Sequence, residues 1–225
     1  MTLKQKVNIS KNIIQKAFDQ YGNRLFMTFS GGKDSTVLFD LVKDIFSDIK
    51  IIILDTRFEF EETHEFIGQY LSGRNFEIMQ CSQQEHEAIM EKYNGQDMIE
   101  GQWYCCAHKE PALEQFLKRQ SHTGWLTGLR SDETENRTYI GIYQKGKYGV
   151  EKINPIIFWT VEDIWEYIKE NKLSTHKKYA EGYLSLGCKP CTEAGFRAKK
   201  GNQGKFENMG LSGERPQGSE CGIHI

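Results

Sequence analysis

The chain has 225 residues, of which 38% are hydrophobic and 27% charged, and a formal net charge of -2. That length allows one sizeable core, and the near-neutral balance gives no reason to expect a nucleic-acid or anionic-membrane partner. No apolar run approaches the roughly 20 residues of a membrane span. The opening stretch MTLKQKVNISKN lacks the basic start and apolar stretch of a secretory signal, so a cytoplasmic protein is expected. In that compartment the six cysteines (Cys81, Cys105, Cys106, Cys188, Cys191 and Cys221) are expected to serve metal binding or catalysis rather than disulfides.

In chain order, NISKNIIQKAFDQYG has helical apolar spacing and stops at Gly22. RLFMTFS reads as a buried strand, DSTVLFDLVKDIF as a helix and KIIILDT as a second strand whose continuous apolar run suits a parallel sheet covered on both faces. EETHEFIGQYLS reads as a helix and NFEIMQC as a third strand, with Cys81 a small buried residue in it. Residues 81–107 are expected to be irregular or helical. KEPALEQFLKRQ is a helix, GWLTGLR a fourth strand, and a polar loop containing KGKYGV follows it. TVEDIWEYIKEN is a helix with Thr160 as its N-cap. From Gly182 onward the chain is loop-rich. Alternating strands and helices predict a doubly wound, mainly parallel α/β fold, with ligands beyond the carboxyl ends of the strands.

MTFSGGKDSTVLF carries the first chemical signal. It runs from a strand through Ser30, Gly31, Gly32, Lys33, Asp34 and Ser35 into a helix. Glycines let backbone N–H groups close around an anion, and the helix start adds unsatisfied donors and a favourable dipole. Ser30 and Ser35 supply hydroxyls and Lys33 a charge. The Walker spacing is absent; the segment resembles the PP-loop of adenine-nucleotide alpha-hydrolases. The second strand ends at Asp55 and Thr56, which serve either a ligand at the sheet edge or a turn.

WYCCAHK and GCKPCT place Cys105 and Cys106 about eighty residues before Cys188 and Cys191. Four thiolates suit tetrahedral zinc or a [4Fe–4S] cluster. Adjacent cysteines fit a cluster somewhat better, because a cluster spreads its ligation points. Cys221 stands apart, in the tail RPQGSECGIHI. Such a tail is expected to be mobile; its thiol is either incidental or wanted for its chemistry, and His224 either lowers its pKa or is a solvated terminal residue.

Together SGGKDS, LDTRFEFEETHEF, the CC pair with a following lysine, TGLRSDETENR, NPIIFWTVEDIWEYI, GYLSLGCKPCT and ECGIH resemble the adenylyl-sulfate and phosphoadenylyl-sulfate reductases of assimilatory sulfate reduction. The resemblance runs from about residue 24 to the end. It implies a PP-loop reductase domain over residues 1–192 and a tail over 193–225 with Cys221 as nucleophile. It implies a [4Fe–4S] cluster on Cys105, Cys106, Cys188 and Cys191. The substrate implied is adenosine 5'-phosphosulfate (APS), with its 3'-phosphorylated form (PAPS) or both as the alternative. The implied electron donor is thioredoxin or glutaredoxin. Lys109, Gly128, Arg130, Arg137 and Arg215 are the implied further substrate contacts, the cations neutralising sulfate and phosphate oxygens. Nothing in the chain excludes a homo-oligomer. Two rivals of other classes remain: an ATP-using PP-loop sulfurtransferase or ligase, and a zinc-stabilised nucleotide-binding module.

Overall fold

The computed structural model describes residues 1–100, 102–119, 121–133 and 137–193. Arg215, Cys221, His224 and the rest of the tail lie outside the described residues. The first helix, α1 (Leu3–Tyr21), starts five residues before the predicted segment because Thr2 and Gln5 form a reciprocal capping box. Its buried residues, Ser10, Ile13, Ile14 and Ala17, make one stripe. Strand β1 (Leu25–Thr28) leads into α2 (Lys33–Lys43), followed by β2 (Lys50–Leu54), α3 (Glu61–Tyr70) and β3 (Phe76–Met79).

The segment expected to be irregular or helical holds α4 (Gln83–Tyr93), a small antiparallel pair of β4 (Met98–Ile99) with β5 (Gln102–Trp103), and the one-turn helix α5 (Tyr104–Ala107). Helix α6 (Lys109–Arg119) and β6 (Gly124–Leu126) follow as predicted. The polar segment read as a loop holds two strands, β7 (Tyr143–Lys145) and β8 (Glu151–Ile153), with KGKYGV largely the connection between them. Its polarity hid them: β8 lies between β6 and β7, and Lys152 hides its stem by setting its ammonium 5.2 Å from the Trp125 ring centre. Helix α7 (Val161–Glu170) has Thr160 as N-cap, its hydroxyl accepting from the Asp163 N–H. The described chain ends in α8 (Lys189–Glu193).

The sheet order is β3-β2-β1-β6-β8-β7, parallel except for the β7 edge strand. Period-2 alternation sends Leu25, Met27, Ile51, Ile53 and Leu126 into a core with residues of α1, α2, α3 and α7. Phe26, Ile52 and Trp125 point to the opposite face, against Ala112, Leu113 and Phe116 of α6 and all four clustered cysteines. Both faces are therefore covered, as the apolar strand runs predicted. The strand ends of β1, β2 and β6 converge on one edge, where the site lies.

Candidate active site

Strand β1 ends in a turn that α2 continues. Gly31 sits at φ +75°, a left-handed conformation that a side chain disfavours. Ser30 Oγ accepts from the Gly32 N–H at 3.3 Å, and Ser35 Oγ accepts from the Ser30 N–H at 3.3 Å. Ser35 in turn donates to the Gly32 carbonyl at 2.9 Å. The Lys33 N–H, in the first turn of α2, donates to the Tyr179 hydroxyl at 2.8 Å. Gly128, after β6, packs on this turn: a Cβ there would sit 3.4 Å from the Asp34 and Ser35 backbone. The result is a cradle of N–H and O–H groups at a helix start, which suits an anion.

A charge network lies at its base. Lys33 Nζ contacts Asp34 Oδ2 at 3.1 Å, Arg130 Nε contacts Asp34 Oδ1 at 2.7 Å, and Arg130 Nη1 contacts Asp132 Oδ1 at 2.8 Å. Arg137 pairs with Glu133. Lys33 and Arg130 are only 3% and 2% exposed. Burial pushes the Asp34 carboxyl up, but Lys33 and Arg130 outweigh burial and hold it below the usual carboxylate range. Burial opposes the charge on Lys33 as well, yet Asp34 keeps its ammonium above the usual value. For Glu133 burial wins over Arg137, and its carboxyl is raised.

Cys106, Cys188 and Cys191 line the same cavity as the cradle. Cys105 and Cys106 sit on α5, Cys188 just before α8 and Cys191 within it. The four Sγ atoms all lie within 4.8 Å of one another, and all four residues are buried. Neighbouring residues of one helical turn diverge, yet both Cys105 and Cys106 reach the group. The Tyr104 N–H donates to the Asp97 carbonyl at 3.1 Å and the Lys189 N–H to the Phe58 carbonyl at 2.7 Å, which pins both cysteine segments. Contacts with the other cysteines push the Cys105 thiol far up and pull Cys188 and Cys191 down. Four thiolates this close need a cation between them, so the donor set fits a thiophilic metal or cluster. Thr56 donates to Cys188 Sγ at 3.1 Å, and Glu59 lies beside it, with Oε1 3.5 Å from the same sulfur. Burial, then the Cys188 charge, raises the Glu59 carboxyl to about 8.

The cradle residues and three of the four clustered cysteines line one cavity, and comparison with known proteins gives the chain a family. The phosphoadenosine phosphosulfate reductase domain matches residues 24–194. The chain belongs to that family. An adenosine 5'-phosphosulfate reductase of Bacillus subtilis is 30% identical over 217 residues, covering 95% of this chain and 89% of the relative. A Staphylococcus haemolyticus protein of the same name is 29% identical over 219 residues, covering 95% and 86%. The fold is similar to a phosphate complex of Candida auris phosphoadenylyl-sulfate reductase, with TM-score 0.63 and 19% identity over 80% of this chain and 88% of that one. It is similar too to Candida glabrata FMN adenylyltransferase, with TM-score 0.67 and 17% identity over 88% of this chain and 66% of that one.

Within this member of the phosphosulfate reductase domain family, Ser30, Gly32, Asp34, Ser35, Lys109, Gly128, Arg137, Cys106, Cys188 and Cys191 line one cavity. Lys33 and Arg130 lie at its base, each ion-paired with Asp34. Asp55 and Thr56 are not among its lining residues. Asp55 accepts from the Arg57 N–H and the Gln80 amide, both at 2.8 Å, which is the turn role. Thr56 faces the sulfur group. Glu59, Glu133 and Tyr179 line the cavity and were not singled out in the sequence. Glu59 falls within LDTRFEFEETHEF and Glu133 within TGLRSDETENR, but nothing in those stretches sets them apart from the neighbouring carboxylates, and Tyr179 lies in no motif; packing brings all three in. Among the described residues no helix is long and apolar enough to cross a membrane.

Proposed function

We propose that this protein reduces adenosine 5'-phosphosulfate to sulfite and AMP, through an S-sulfonate on Cys221 that thioredoxin discharges. The observation that carries the reading is one cavity lined both by the cradle residues Ser30, Gly32, Asp34 and Ser35 and by three members of the four-cysteine group, Cys106, Cys188 and Cys191. The family and the names of its relatives supply the reaction class.

On this reading Ser30, Gly31, Gly32, Lys33, Asp34 and Ser35 seat the nucleotide's phosphoryl group, with Gly128 holding the cradle open. Arg137 and Lys109 from the cavity wall, and Arg215 and His224 from the tail, neutralise the sulfuryl oxygens. Arg130 acts one step behind, by orienting Asp34. The Cys221 thiolate attacks the sulfur, the sulfur–oxygen bond breaks, and AMP leaves with that electron pair. A thioredoxin thiolate then attacks Cys221 Sγ. Sulfite leaves with the electrons of the sulfur–sulfur bond, and a mixed disulfide remains. The second thioredoxin thiol releases Cys221, so a dithiol is oxidised and sulfur(VI) becomes sulfur(IV). A tail segment, residues 193–225, suits this, since the nucleophile must meet first the nucleotide and then a protein. Cys105, Cys106, Cys188 and Cys191 would hold a [4Fe–4S] cluster, which would supply iron-bound charge beside the sulfuryl end of the cavity.

The test is intact mass of the anaerobically reduced protein mixed with APS, and separately with PAPS, without thioredoxin. One added sulfonate is expected with APS. It should be absent in Cys221→Ser and released as sulfite by thioredoxin. An adduct only with PAPS reassigns the substrate. No adduct with either nucleotide overturns the reading.

A further inference from the structure

We propose that Tyr179 is a nucleotide-binding residue, whose hydroxyl relays the first N–H of α2 to a phosphoryl oxygen; this rests on the reading above.

The hydroxyl accepts from the Lys33 N–H at 2.8 Å, across 146 residues of sequence. That N–H is one of the unsatisfied donors with which a helix start meets an anion. Among the described residues, Gly32 caps the helix without a side-chain acceptor, so Tyr179 takes the place of a cap. The hydroxyl lines the same cavity as Ser30, Asp34 and Ser35. Having accepted one bond, it still holds its own proton, and among the described residues that proton meets no acceptor. A buried or half-buried O–H of this kind is expected to find one. A phosphoryl oxygen in the cradle supplies it.

The ring is held for the purpose. Trp165 of α7 meets it edge-on, with centroids 5.1 Å apart at 88°. The Lys33 ammonium lies 6.0 Å from its centre. Gly32 leaves room beside it, since a Cβ there would lie 3.5 Å from the hydroxyl oxygen. Burial raises the phenol to about 12, so at neutral pH the group is a donor and does not repel an anion. Tyr179 also stands on the 3-10 turn Lys177–Tyr179, nine residues before Cys188. One short segment therefore sets both the cradle's extra donor and half of the four-cysteine group.

The test is calorimetric binding of AMP and adenosine to the anaerobic full-length protein and to Tyr179→Phe. A lost hydrogen bond to a charged group predicts AMP binding weaker by about ten- to a hundredfold, with adenosine binding unchanged and the unfolding temperature lower by no more than the few degrees that loss of a cap gives. Adenosine silent against both proteins makes the phosphoryl group the whole handle, and the AMP loss then reads the contact directly. AMP binding unchanged in Tyr179→Phe, or an equal loss for adenosine, overturns the proposal while the reductase reading stands. Failure of AMP to bind the unaltered protein overturns both.

Discussion

Arg130 closes on Asp34 at the turn between β1 and α2, with Nε 2.7 Å from Oδ1, and the same aspartate meets Lys33 on its other oxygen at 3.1 Å. One carboxylate thus fixes two buried cations. The arrangement joins the loop after β6 to the first turn of α2, so the cradle's shape depends on a contact between residues nearly a hundred positions apart.

Removing one partner leaves a buried charge without compensation, which costs more than the pair itself contributes. Arg130→Met is therefore expected to destabilise the protein by about 3 kcal/mol. Asp34→Asn, which leaves Lys33 and Arg130 both facing a neutral amide, is expected to cost at least as much, and the double variant, in which only Lys33 loses its partner, less than the sum of the two. Denaturant unfolding of the two single variants and the double variant reads this as a cycle. Strictly additive costs would show that the contact carries no coupling.

Two histidines set an acid limit on stability. His176 is buried, with Thr63 at 3.2 Å from Nε2 and its Nδ1 accepting from the Lys178 N–H at 3.2 Å. His122 stacks on Phe116 with centroids 5.0 Å apart. Burial lowers the pKa of both. As pH falls through the ordinary histidine value of about 6.5, the unfolded chain takes up protons that the folded protein refuses. Stability is then complete above that value and declines below it. Unfolding free energies measured downward from neutral pH should fall, and His176→Gln should flatten the fall. A flat profile in the unaltered protein would show that these rings protonate in place.

The four-thiol group should behave as one unit. Cys188→Ser is expected to lose bound metal and to lower the unfolding temperature, because metal-binding free energy is folding free energy at such sites. Cys81→Ser, outside the group, should keep the metal. Elemental analysis and absorption spectra of anaerobic protein check this and separate iron from zinc. Full metal retention in Cys188→Ser would place the metal elsewhere.

Local chemistry made much of this protein legible in one dimension. The apolar runs of β1 and β2 declared a doubly covered sheet, since a strand buried on both faces has no polar alternation to show. SGGKDS declared an anion cradle because backbone geometry and helix-start donors are properties of six consecutive residues. Thr160 was readable as a cap for the same reason. The two cysteine pairs were visible as pairs, and the tail motif as the likeness of a nucleophile. Tertiary structure alone decided the rest. Whether Cys105 and Cys106 could both reach Cys188 and Cys191 depended on how α5 and the segment before α8 are pinned. Strands β7 and β8 were hidden because their partners, not their composition, make them strands, and Lys152 finds its cover on Trp125. Asp55, which the sequence left between the ligand edge and a turn, accepts from the Arg57 N–H and the Gln80 amide, whereas Tyr179 reaches the cavity from a position no motif marks, and Glu59 and Glu133 are told apart from the other carboxylates of their motifs only by packing. Spacing reports what neighbours in the chain can do together; a cavity is a meeting of strangers, and only packing chooses them.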